Sequence, residues 1–209
     1  MMPGEPDKTL APALELLAER DADLARAFAE TGLPPVRRSE PGFCGLVRMI
    51  AGQQVSTASA AAINRRLDAA MARPTPDAFL DLDDNALKGI GFSRAKMRYC
   101  RALASMLLAG DLVLEKLPDL GDEEAIAALT AVPGIGRWTA EIYLLFALGR
   151  PDVWPAGDLA VVKALMALKN IDARPGESAL RKMAEAWRPH RSAAARLLWH
   201  YYRHIGVAL

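Results

Sequence analysis

The residue whose type and setting most invite a chemical role is Asp158, in the stretch Trp154-Pro155-Ala156-Gly157-Asp158-Leu159. An Asp directly before an apolar helical run, here Leu159, Val161, Val162 and Leu165, reads as an N-cap whose carboxylate accepts from helix amides. A carboxylate held that way can also face a cation as it develops, so the structural and chemical roles are compatible at one position. Upstream lies Leu129-Thr130-Ala131-Val132-Pro133-Gly134-Ile135-Gly136-Arg137-Trp138-Thr139-Ala140. Helical spacing of Ile126, Leu129 and Val132 stops at Pro133 and resumes near Arg137, which makes a helical hairpin. Gly134 and Gly136 tolerate positive φ and carry no side chain to hold another molecule's backbone away. Amides at the start of the second helix then point at an anion. A nucleic-acid phosphate is the obvious one, gripped without regard to base sequence. Taken alone, Pro-Gly-x-Gly is equally a tight connector.

The elements that must position these residues all read as helical. Leu14, Leu17, Leu24 and Phe28 give an amphipathic entry helix or pair from about Leu10 to Thr31, ended by Gly32 with Pro34-Pro35 beyond. Two helices follow between Pro41 and Ala72, the second capped near Ser56, with Gly52-Gln53-Gln54-Val55-Ser56 between them. Thr75-Pro76-Asp77 starts a short helix, Asp84 to Lys88 another, and Ser93 caps one through Leu108. Asp122 opens the first hairpin arm and Trp138 to Leu148 forms the second. Helices then run at about Leu159 to Leu168, Glu177 to Trp187 and Ser192 to His204. No segment alternates with the period of a half-buried strand, so the fold class is all-α.

Composition narrows the partners. A chain of 209 residues, 52% hydrophobic, with formal net charge +1, suits one sizeable core or two small lobes. No apolar run reaches the roughly 20 residues of a membrane span, and the opening residues lack the pattern of a signal peptide; a cytoplasmic, intracellular protein without a membrane partner is expected. Cys44 and Cys100 lack metal-site spacing. Charge is unevenly spread: Lys88, Arg94, Lys96, Arg98 and Arg101 fall in a stretch with no acid, and Arg181, Lys182, Arg188, Arg191, Arg196 and Arg203 face only Glu185. Such clusters suit a polyanion or are simply solvated helix faces.

The ordered set Gly52-Gln53-Gln54-Val55-Ser56, Gly91-Phe92-Ser93-Arg94-x-Lys96, Val132 to Ala140 with Asp158, and Trp187-Arg188-Pro189-x-Arg191-Ser192 leading to Trp199 resembles the helix-hairpin-helix superfamily of DNA glycosylases. Within it, the likeness is to the alkylated-base, 3-methyladenine type II group. The resemblance implies two interwoven helical lobes with a cleft between them: residues 41–151 carrying the hairpin, and 1–40 with 152–209. It implies double-stranded DNA with damaged bases as partner, a monomer, and base excision repair as the process.

By the same resemblance Asp158 stabilises the oxocarbenium ion that develops as an N-glycosidic bond breaks. Trp138 and Trp199, with Tyr143 and Ile142 as weaker candidates, line a pocket for the extruded base, whose removal from the stack must be compensated by an inserted residue. Gln53 and Gln54 occupy that loop, with Gln54 as the wedge. DNA contacts are expected from Gly134, Ile135, Gly136, Arg137, Thr139, Ser93, Arg94 and Lys96. Strand-nicking relatives carry a lysine nucleophile where Trp138 stands, so a monofunctional enzyme using water is implied. No iron–sulfur cluster and no side-chain metal site are expected, though a monovalent cation on the hairpin carbonyls is compatible with the family. Two alternatives remain: the same fold acting on uracil, hypoxanthine or an oxidised base, and a non-catalytic DNA-binding hairpin module.

Overall fold

The computed structural model describes residues 4–71 and 73–206, nearly all in helices and their connections. Residues 1–3, part of the opening read for a leader, and Ala72 lie outside the described residues. The elements are α1 (Ala11–Arg20), α2 (Ala22–Thr31), α3 (Gly42–Gly52), α4 (Thr57–Ala70), α5 (Pro76–Leu80), α6 (Asp84–Ile90), α7 (Arg94–Ala109), α8 (Asp122–Thr130), α9 (Arg137–Phe146), α10 (Leu159–Lys169), α11 (Glu177–Met183) and α12 (Arg191–His204). Short 3-10 turns add Lys8–Leu10, Leu114–Asp119 and Ala184–Trp187. Among the described residues the extended pairing is an isolated bridge between Pro6 and Pro35. The chain divides into a central unit, residues 39–148, and a terminal unit made of 1–38 and 149–209.

In the central unit, side-chain caps fix where helices begin. Ser56, Thr75, Asp83 and Ser93 each accept from a backbone amide of the first turn, which satisfies a donor that would otherwise lack a partner. Helix α3 packs on α4 and α7 through Phe43, Leu46, Val47 and Ile50, all buried. Phe79 of α5 stands edge-on between Phe43 and Phe92, with centroids 5.9 and 5.7 Å away. Burying such aromatic and aliphatic groups contributes roughly 1.5–3 kcal/mol each, the main force holding these short helices together. Helix α9 is enclosed from Thr139 to Phe146, so it shows an almost continuous apolar run. Ser39 belongs to this unit because its amide donates to the Phe146 carbonyl at 2.9 Å.

The terminal unit joins the two ends of the chain. Helices α1 and α2 pack on each other and on α12, and α10 packs on α12 and α2 around Leu14, Leu17, Leu24, Val162, Leu165 and Leu198. Asp21 separates α1 from α2: extended at φ −138°, it caps α2 by accepting from Asp23 and Leu24 amides. The same carboxylate accepts from Lys169 at 2.9 Å and from the Trp187 indole at 2.9 Å, which fastens the end of α10 to the start of α2. Lys169 is held above its ordinary range by Asp23 and Asp21, whose hydrogen bonds and charge outweigh the opposing effect of its burial. A second tie is the pair of Asp7 and Arg196, 2.9 Å apart and largely out of solvent.

Candidate active site

The loop Pro155-Ala156-Gly157 delivers Asp158 to the start of α10 with its own amide bonded to the Pro155 carbonyl at 2.9 Å. Its side-chain Oδ1 accepts from the Val161 amide at 2.9 Å and from Trp199 Nε1 at 2.9 Å. Two donors from different helices converge on one oxygen, so the carboxylate has a defined orientation rather than a choice of rotamers. Asp158 is 8% exposed, which places a negative group low in its surroundings and in a less polar medium than water. Trp199, on α12, is partly exposed. The family resemblance implied its ring as a stacking face; the structure adds a donor that reaches Asp158. Arg37, which no sequence signal singled out, places its guanidinium carbon 5.8 Å from the Trp199 ring centroid. Burial is the largest influence on Arg37 and lowers its pKa, Arg203 acting the same way and Asp158 opposing it.

In the central unit, the turn between α8 and α9 is shaped by two different glycines. Gly134 has φ +85°, and a Cβ there would sit 2.2 Å from the Tyr99 ring. Gly136 is an ordinary-φ N-cap at −84°, with nothing within 4 Å of the place a Cβ would occupy. Fold therefore requires the first glycine and leaves the second without a steric reason inside the protein. With glycine as N-cap, α9 begins without a side-chain cap.

Several residues expected to touch DNA have partners within the protein. The Ile135 side chain is buried and its amide donates to the Val132 carbonyl at 3.1 Å, because closing the tight turn uses that N–H. Arg137 is bonded through Nε to Glu141 at 3.0 Å and through Nη2 to Glu123 at 2.5 Å. Glu123 chiefly, with Glu141, raises its pKa. Thr139 is buried. Gln53 Nε2 donates to the Gly134 carbonyl at 3.0 Å and lies 3.3 Å from the Thr139 hydroxyl, so Gln53 braces the hairpin from behind. Lys96 Nζ donates to the Ala51 carbonyl at 2.7 Å, supporting the last turn of α3, and burial lowers its pKa. Ser93 caps α7. Arg94 is exposed, and Gln54 is exposed with φ +55°, a left-handed conformation that costs a non-glycine residue about 1 kcal/mol or more.

The candidate base-pocket residues divide similarly. Trp138, in the first turn of α9, is 45% exposed. Ile142 is buried, and Tyr143 is fully enclosed with its hydroxyl accepting from the Gly42 amide at 2.8 Å, a strut under the start of α3 and not an open wall. The basic clusters are also less available than their composition suggests. Arg188 and Arg191 are held by Asp152 and Glu185, Arg196 by Asp7, and Arg101 by Asp84. Among the described residues no group of three or more His, Cys, Asp or Glu side chains is arranged to hold a metal ion. No helix of the described residues is long and apolar enough to cross a membrane. Glu141 apart, the internal partners of Arg137, Gln53 and Lys96 lie 14 to 86 positions away along the chain, beyond any local pattern.

Residues 47–189 match the profile of the HhH-GPD superfamily base excision DNA repair protein. The DNA-3-methyladenine glycosylase 1 of Schizosaccharomyces pombe is 35% identical over 168 residues, covering 78% of this chain and 73% of that one. Among solved structures, the S. pombe 3-methyladenine DNA glycosylase in complex with abasic DNA superposes with a TM-score of 0.81 at 30% identity, covering 94% of this chain and 98% of the other. A DNA-3-methyladenine glycosidase from Bacillus halodurans gives a TM-score of 0.81 at 29% identity, over 90% and 88% of the two chains.

Proposed function

Because the chain belongs to the HhH-GPD superfamily of base excision DNA repair proteins, we propose that it is a monofunctional DNA glycosylase that extrudes alkylated purines of the 3-methyladenine type and hydrolyses their N-glycosidic bond. The observation that carries this reading is the Asp158 carboxylate, fixed by the Val161 amide and the Trp199 indole at 2.9 Å each. As the base departs, positive charge grows on the sugar, and an oriented carboxylate in a partly dehydrated setting stabilises that charge without first having to reorganise. A cationic alkylated purine leaves as a neutral molecule and needs little help from an acid, which suits a site built around one carboxylate.

Extrusion costs a few kcal/mol of stacking and pairing. Gln54 is the side chain assigned to the vacated space: it is exposed and held in a strained turn whose rear is bonded by Gln53 and Lys96. Trp199 offers the extruded base an aromatic face, and Trp138 is a second candidate. Gly136 and the uncapped start of α9 are assigned to a strand phosphate, with Arg94 as an exposed cation. Family membership also suggests a monovalent cation on the hairpin carbonyls. In this turn Val132 and Gly134 each have a carbonyl that already accepts one protein hydrogen bond. A carbonyl oxygen has two lone pairs, so the all-oxygen turn fits such an ion, which would add positive charge beside the phosphate. The enzyme is proposed to act as a monomer without iron–sulfur cluster. With tryptophan at 138, where strand-nicking relatives have lysine, the product is an intact abasic strand.

Methylated duplex DNA incubated with the protein should release 3-methyladenine, separable by chromatography, and leave strands that break only on later alkaline treatment. Asp158→Asn should lower release about a hundredfold or more while DNA binding persists. No base released by the wild type, or undiminished release by the variant, overturns the proposal. Preferential release of uracil, hypoxanthine or an oxidised base would keep the chemistry and change the substrate.

A further inference from the structure

We propose that Arg37 is a specificity-determining residue, a cation supplied by the protein itself that competes with positively charged bases for the face of Trp199 and for the field of Asp158. The inference rests on the reading of Trp199 as the stacking face for an extruded base. Its ground is geometric. The Arg37 guanidinium carbon lies 5.8 Å from the Trp199 centroid, within the range at which a cation is attracted to the indole quadrupole. That same indole donates to Asp158, so the cation, the ring and the carboxylate form one chain of contacts in the terminal unit. Arg37 lies just past the Pro34-Pro35 segment, whose backbone is tied down: Val36 donates to the Glu5 carbonyl and Arg196 donates to the Pro35 carbonyl, at 2.8 and 2.9 Å.

Two consequences follow for ligands of equal shape and unequal charge. A neutral base entering against Trp199 competes with Arg37 for contact area alone. A cationic base must also overcome repulsion from the guanidinium or displace it, and it then recovers the attraction of Asp158 that Arg37 had drawn. Burial, Arg203 and Arg196 disfavour the charge on Arg37, while Asp158 favours it. The filter is therefore electrostatic and reversible, and it acts on the charge of the base without reading its hydrogen-bonding edge.

The test separates charge from shape by using 7-methylguanosine, cationic at mildly acid pH, against guanosine, its neutral parent. Quenching of tryptophan fluorescence gives a dissociation constant for each, with Trp199→Phe as the control for the reporting ring. In Arg37→Gln the preference for the cation over the neutral ligand should rise roughly three- to tenfold, and in Arg37→Lys, which keeps the charge, it should stay near the wild-type value. Excision of 7-methylguanine relative to hypoxanthine from defined duplexes should move in the same direction. An unchanged ratio in Arg37→Gln overturns the proposal, including the case in which both ligands weaken equally and the salt dependence of DNA binding falls, the signature of a phosphate contact. Absence of any base release by the wild type would instead strike the glycosylase reading, because the nucleoside ratio is measured without catalysis.

Discussion

Trp199 illustrates how one side chain can hold two duties that ordinary substitutions confuse. Its indole nitrogen donates to Asp158 and its ring is the proposed stacking face. Trp199→Phe keeps an aromatic face and removes the donor to a carboxylate, an interaction of about 1.5–3 kcal/mol. The expected result in single-turnover assays is a fall in the excision rate of roughly ten- to a hundredfold with little change in affinity for lesion-containing DNA. A change in affinity alone would assign the residue to stacking only. At this scale the sequence revealed residue types better than partners. Asp158 was legible because a short carboxylate side chain directly before an apolar helix is chemically matched to the first-turn amides. The resemblance named Gln54 as the wedge, but the different settings of the two glutamines, Gln53 bonded to the Gly134 carbonyl and Gln54 exposed, depend on a backbone that two adjacent residues of one type do not reveal. Arg137 showed its charge in the sequence but not its companions Glu123 and Glu141, and Arg37 carried no local signal at all.

The hairpin shows the corresponding division among elements. Gly134 is required by the fold, with positive φ and the Tyr99 ring against it, whereas Gly136 meets no such constraint. Gly134→Ala should therefore destabilise the protein by about 2–4 kcal/mol, combining backbone strain with overpacking, and shift its thermal midpoint down. Gly136→Ala should leave the melting curve nearly unchanged and weaken DNA binding, measured by fluorescence anisotropy. If both behaved alike, the distinction between a folding glycine and a contact glycine would be wrong. Helix positions and caps were readable because Ser56, Thr75, Ser93 and Asp158 are chemically suited to first-turn amides. Periodicity does not decide the break between α1 and α2, since Asp21 is a strong cap and also tolerable inside a polar helix face. The enclosure of α9, with Glu141 buried among apolar neighbours, follows from tertiary packing that a 3.6-residue period does not encode.

For the whole molecule, stability should depend on acid through the carboxylates that tie the terminal unit. Asp7 and Asp21 are both below their ordinary value of 3.8: burial pushes each up, but the bonds from Thr9 and Arg196, and from Lys169 and Trp187, outweigh it. A depressed carboxylate contributes stability that is complete above its unfolded value and is lost as pH falls through its lower folded one. His200 adds a loss beginning higher, below about its ordinary 6.5, because burial disfavours its charged form. Urea denaturation between pH 7 and pH 3 should show stability declining, with Asp21→Asn less stable at neutral pH and less sensitive to acid than the parent. Parallel curves would exclude the Asp21 ties as the source. The division of the chain at 38/39 and 148/149 reflects such long-range ties and the Ser39 to Phe146 bond, none of which a linear pattern of residues displays.

That the terminal unit is built from segments on either side of the central one bears on the order of events at the ribosome. Residues 39–148 are contiguous and can begin to fold as soon as they emerge, while α1 and α2 must wait for α12, which is made after the whole of that stretch. Arg37, Asp158 and Trp199 thus meet only once α12 has been made, and a nascent chain that stops before it has a hairpin but not the Asp158–Trp199 bond.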